Sequence, residues 1–105
     1  MSGAVVHGDT VYLAGQVAKT KAGASVGEQT QEILSIIDGL LAQAGTDKTK
    51  LLMANIWLTD ISTFEEMNAV WDAWVPRGNT PGRATVEAKL AAAPLKVEIA
   101  IIAAK

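Results

Sequence analysis

The eight residues Val97 to Ala104 constrain this chain more than any other segment, because they are apolar on both sides of an extended strand. Val97, Ile99, Ile101 and Ala103 point one way, and Ala100, Ile102 and Ala104 point the other, with Glu98 as the single interruption. A strand that is apolar on both faces is buried on both faces. The helices of a domain this small can cover one of them, so a second copy of the chain is expected to cover the other. Composition agrees with that expectation. Half of the 105 residues are hydrophobic and 19% are charged, below the roughly 25% of an average soluble domain. A small monomer, with its high surface-to-volume ratio, needs more charge than this and not less.

The length is that of one domain spanning residues 1–105, large enough to form a core without disulfide or metal staples. Nine Lys plus Arg against eleven Asp plus Glu leave a net charge of −2, and no basic cluster offers a footprint for a phosphate backbone, so no nucleic-acid partner is expected. The absence of cysteine removes thiolate nucleophiles, Fe–S clusters and Cys-ligated zinc. No apolar run approaches the ~20 residues of a membrane helix, and no leader pattern opens the chain. The expectation is a cytoplasmic protein with no membrane partner.

Along the chain, Ala4 to Val6 and Thr10 to Val17 read as a hairpin turning on Gly8-Asp9. Ser25-Val26-Gly27-Glu28 fits a capping box. Behind it Ile33, Leu34, Ile36, Ile37, Leu40, Leu41 and Ala44 keep to one helical stripe, ended by Gly45. Leu51 to Thr59 reads as a strand with Leu52, Ala54, Ile56 and Leu58 on its apolar face. A second helix is predicted from Ser62 or Thr63, capping against Glu65 or Glu66, with Phe64, Met67, Val70, Trp71 and Trp74 as its buried stripe. It must stop by Pro76. Strands over Arg83 to Lys89 and Leu95 to Ala104 complete a ββαβαββ order. The predicted class is α+β, with two helices on one face of a mixed sheet.

Few residues can do chemistry. His7 is the single histidine, and it falls beside a turn as an exposed spectator; with it goes any Ser-His-Asp triad or His-rich metal site, so neither metal nor cofactor is expected. Trp71 and Trp74 are read as core, and Trp57 as an interface or pocket wall. There remain Arg83, which opens a strand behind Pro81, and Glu98, a carboxylate on a face buried between copies, where it needs a partner or a function. Taken alone, Arg83 is an ordinary surface cation and Glu98 a strand charge that discourages aggregation. Together, facing one small interfacial cavity, they suit a carboxylate-bearing substrate: Arg binds it bidentately and Glu orients or deprotonates a water.

At these residues the chain resembles the RidA/YjgF family of small trimeric proteins, whose archetype hydrolyses reactive enamines and imines. The matching segments are Val11 to Gln16, Gln31-x-Ile33-Leu34, Trp57 to Met67 with Leu58-Thr59-Asp60 before Phe64, Asn68, Pro81-Gly82-Arg83-Ala84 and Val97-Glu98-Ile99. The resemblance implies a homotrimer of chorismate-mutase-like fold with clefts between subunits, in which small 2-imino acids are deaminated to keto acids and ammonia. It assigns Arg83 to the substrate carboxylate and Glu98 to the attacking water, with Gly15 and Ala14 lining the site, Asn68 supporting it and Thr85 standing where the archetype has a small polar residue or cysteine. One subunit would supply Arg83 and its neighbour much of the rest. Ala14 replaces the archetype's serine, Gly82 and Ala84 replace the alanine and serine of a Pro-Ala-Arg-Ser run, and the aromatic residue before the first strand has no counterpart. These departures are those of a chain that has lost an N-terminal segment or of a divergent member with a different pocket roof. They leave two alternatives open: a non-catalytic protein that binds a small carboxylate, and a hydrolase for another imine- or amide-type nitrogen substrate. Chorismate mutase chemistry wants several cations around a dianion, and two arginines are too few.

Overall fold

The computed structural model describes residues 1–105. Ala4–His7 (β1) and Thr10–Leu13 (β2) form the expected hairpin, and Gly8 supplies the positive φ of its turn at 59°. The second hairpin strand differs from the sequence expectation. It breaks at Ala14-Gly15, and Gln16–Val17 forms a separate short strand, β3. Both pieces pair with the final strand, Val97–Ala104 (β6), and between the pairs Tyr12↔Ile102 and Gln16↔Ile99 four steps on one side meet three on the other. That extra residue is a bulge, which re-aims the chain after it.

The first helix, Val26–Gln43 (α1), starts as predicted: the Ser25 Oγ accepts from the Glu28 amide at 3.2 Å. It ends in a Schellman arrangement, with Gly45 at φ 83°, its amide donating to the Ala42 carbonyl and that of Thr46 to Leu41. Leu51–Leu58 (β4) also carries a bulge, between Leu51 and Met53. Leu51 is therefore buried and Leu52 exposed, the reverse of strict alternation. The second helix, Phe64–Trp74 (α2), is entered differently from the prediction. Asp60 caps a 3₁₀ turn over Ile61–Thr63, and Thr63 makes no side-chain cap. The Ser62 hydroxyl, together with its amide, holds the Asp60 carboxyl below its usual range. Glu66 reaches across instead and accepts from the Gly27 amide of α1 at 2.7 Å, which ties the two helix N-termini together.

Gly82–Glu87 (β5) lies parallel to β4, and β4 is antiparallel to β6. The sheet order is β1-β2-β6-β4-β5, with β3 also beside β6. The last two strands are shorter than predicted, because Ala88 to Lys96 are taken up by the connection between them. The helices cover one face only. Ile33, Leu34, Ile37 and Leu41 of α1 and Met67 and Trp71 of α2 pack on Val11, Ala54, Ile56, Leu58, Val97, Ile99, Ile101 and Ala103. The other face stays open in the single chain: Ala100, Ile102 and Ala104 are half-buried there, and Tyr12 and Val86 are exposed.

Two polar side chains that drew no notice in the sequence hold the loops. Gln29, fully buried, donates to the carbonyls of Ala24 and Pro94 and accepts from the Lys96 amide. Glu32 accepts from the amides of Lys19, Thr20 and Lys21 and from the Thr20 hydroxyl, clasping the loop after β3. Donation from the Lys21 amide leads in lowering its carboxyl from 4.5 to about 2.

Candidate functional site

Strand pairing fixes where the two candidate catalytic side chains point. Arg83 pairs with Ala54, a residue of the helix-covered face, so its side chain turns toward α2. Glu98 pairs with Trp57 in β4 and Val17 in β3, and both sit on the opposite parity. Within one chain Arg83 and Glu98 therefore lie on opposite faces of the sheet. No cavity of the single chain contains either of them.

Arg83 is half-buried at the edge of the sheet. Its Nη1 donates to the Asn68 Oδ1 at 2.7 Å, and its Cζ lies 5.5 Å from the ring centroids of both Phe64 and Trp71. Phe64, Asn68 and Trp71 follow the i, i+4, i+7 spacing of a single helix face, and α2 presents that face to the start of β5. Thr85, two residues on, pairs with Ile56 and so shares the face of Arg83; its Oγ1 is buried without a hydrogen-bond partner. Buried hydroxyls are rarely left so.

On the other face the Glu98 carboxylate lies against the backbone of Gly15. A Cβ built on Gly15 would stand 2.9 Å from the Glu98 Cδ and 3.2 Å from its Cγ. The glycine is needed for this close approach and not for its φ, which is not positive. Ala14, beside it, is half-buried; its amide donates to the Gly3 carbonyl and its own carbonyl accepts from the Gln16 Nε2 at 2.9 Å. Gly15 and Ala14 thus belong with Glu98, while Asn68 and Thr85 belong with Arg83. The six residues fall into two groups on opposite faces of the sheet, each a candidate half-site.

Of the remaining candidates, His7 is exposed, Trp71 is buried, Trp74 is partly buried against the core and Trp57 is half-buried beside Glu98. Phe64 and Trp71 were visible in the sequence only as core positions. Their contact with Arg83 could have been found from the aromatic, Asn, aromatic spacing on one helical stripe. No group of three or more His, Asp or Glu side chains comes together as a metal site requires. No helix is long and apolar enough to cross a membrane.

The family model described as Endoribonuclease L-PSP matches residues 1–105. A RutC family protein of Haemophilus influenzae is 46% identical over 98 residues, 93% of this chain and 84% of the relative. The RutC family protein YoaB of Escherichia coli is 43% identical over 103 residues, 98% of this chain and 89% of the relative. Among solved structures, a YjgF family member from Neisseria meningitidis superposes with a TM-score of 0.96 at 45% identity, covering all of this chain and 87% of the other. A family member from Mycobacterium tuberculosis gives 0.91 at 30% identity, covering 100% of this chain and 86% of the other. With its whole length matched in sequence and in fold, the chain belongs to the YjgF/RutC family.

Proposed function

We propose that this protein hydrolyses small, reactive 2-imino acids to 2-keto acids and ammonia, in clefts where the Arg83 half-site of one copy meets the Glu98 half-site of another in a homotrimer. The observation that carries this reading is the division itself. A cation held at the sheet edge and a carboxylate set in an apolar face are each incomplete alone, and each lies at a surface that a second copy can close. The half-buried apolar face around Ala100 and Ile102 supplies a reason for copies to associate. A net charge of −2 favours a small anion bound at one local cation over an RNA backbone.

In this reading Arg83 takes the substrate carboxylate through paired N–H donors. Glu98 accepts a hydrogen bond from a water and turns its oxygen toward the imine carbon. The water oxygen bonds to that carbon as the C=N π pair moves to nitrogen, and the proton the water gives up passes by way of Glu98 to the nitrogen. The hydroxyl proton of the resulting carbinolamine then passes by way of Glu98 to the amine, and ammonia leaves as the C–N bond breaks and the C=O bond forms. The chemistry is undemanding because the imine is already reactive, so positioning supplies most of the effect.

The test is ammonia release from freshly generated 2-iminopropionate. Arg83→Ala should lower kcat/KM by about 10- to 100-fold, the worth of a charge-assisted pair. Arg83→Ala and Glu98→Gln subunits, each impaired alone, should regain activity when denatured together and refolded as a mixture. No hydrolysis above buffer by the wild type, or no recovery in the mixture, would overturn the reading. Ala14 favours one second reading, since a methyl group stands where a hydroxyl could have positioned the substrate: a protein that binds a small carboxylate and does not turn it over. Thermal stabilisation by pyruvate with no imine hydrolysis would decide for it.

A further inference from the structure

We infer that Phe64, Asn68 and Trp71 of α2 are positioning residues that fix the plane of the Arg83 guanidinium before any ligand arrives. The inference rests on the reading that Arg83 receives a carboxylate. An arginine at the edge of a sheet ordinarily samples many rotamers, and holding it still on binding costs conformational entropy. Here that ordering is built in. One N–H of Nη1 is given to the Asn68 Oδ1 at 2.7 Å, and two aromatic rings lie with their centroids 5.5 Å from Cζ. The ring quadrupoles attract the cation, and the amide sets its rotation about the ring contacts.

The chemistry of the cradle also matters. Asn68 is a neutral acceptor, so it orients the guanidinium without cancelling its charge, as an aspartate would. The other N–H groups remain available for a carboxylate fork. Trp71 is buried at 4% exposure and acts on Arg83 from within the core, whereas Phe64 is only partly buried. The three side chains share one helical stripe, so α2 carries the cradle as a rigid unit. A cation presented in this way favours a planar, bidentate partner over a point anion.

Two measurements test this. The first is the ¹⁵N order of the Arg83 Nε–H in the unliganded protein, with exposed Arg77 as internal reference. Arg83 should be as ordered as the backbone and Arg77 mobile, and Phe64→Leu or Asn68→Ala should release Arg83. An Arg83 as mobile as Arg77 in the wild type would overturn the inference whether or not the protein hydrolyses imines. The second is steady-state kinetics on 2-iminopropionate. Phe64→Leu and Asn68→Ala should each raise KM about tenfold and leave kcat within about twofold, and Phe64→Tyr should restore the wild-type KM. An unchanged KM in both variants, or a Phe64→Tyr no better than Phe64→Leu, would overturn the inference. An ordered Arg83 in a protein without imine hydrolysis would overturn the deaminase reading alone and leave the cradle standing.

Discussion

The carboxylate of Glu98 occupies the space in which a side chain at position 15 would begin: a Cβ on Gly15 would meet its Cδ at 2.9 Å, and Oε2 still closer. Gly15→Ala should therefore drive Glu98 off its present position. A misplacement of about 1 Å can cost about 10²-fold in rate, and a loss of that size in kcat/KM for imine hydrolysis is the expected outcome, with the far-ultraviolet circular dichroism unchanged.

Gly82→Ala is the contrasting case. A Cβ there would meet the Met53 sulfur at 3.1 Å, and methionine is flexible enough to yield. The substitution also restricts the unfolded chain. Stability should stay level or rise by about 0.5 kcal/mol, measured by denaturant unfolding, and activity should hold.

The Glu32 clasp gives a pH signature. Its carboxyl is held at about 2 against an ordinary 4.5, so the folded state binds the proton less readily than the unfolded one. The clasp's contribution is fully present above about pH 4.5 and is lost as pH falls through about 2. Amide exchange at Lys19, Thr20 and Lys21 should remain slow at pH 3.5, where an unpaired glutamate is mostly protonated. In Glu32→Gln the same amides should exchange fast throughout.

Gln29 is the buried polar link between the start of α1 and the chain entering β6. Gln29→Ala leaves the Ala24 carbonyl and the Lys96 amide without the partner they have now, while the Pro94 carbonyl keeps the Gly23 amide. Buried groups left unpaired cost about 1–3 kcal/mol each when water cannot reach them. A loss of about 2–4 kcal/mol in unfolding free energy is expected.

The open sheet face yields an assembly prediction. Ile102→Asp places a charge among Tyr12, Met53 and Ala100 while leaving the helix-covered core untouched. Light scattering should show a trimer for the wild type and a monomer for the variant, with the helical content retained and imine hydrolysis lost.

Much of this fold is legible in local sequence. The capping box at Ser25, the stripe from Ile33 to Ala44 and the Gly45 stop delimit α1 within two residues, and the two-sided apolarity of Val97 to Ala104 marks a strand with both faces to be covered. What local sequence does not carry is register. The bulges at Ala14-Gly15 and Leu51 to Met53 exist only against β6, so Leu52 reads as core until its partner strand is known. The partners of Gln29 and Glu66 are likewise distant, at 67 and 39 residues. Glu98 stands out by chemistry alone, as the one charge in an apolar strand, whereas Arg83 taken alone reads as a surface cation and gains its place from Glu98 and from the family resemblance. That they face opposite ways follows from the parity of two strand pairings with β4, which no single segment encodes.

The strand that pairs with β2, β3 and β4 is also the last one in the chain's order. During synthesis the β1–β2 hairpin and the β4–α2–β5 unit emerge as two half-sheets with nothing between them. Neither can bury its inner edge until Val97 to Ala104 have left the ribosome. The sheet therefore closes only once this strand is available, and until then the nascent domain carries open strand edges of the kind that chaperones bind and aggregates recruit.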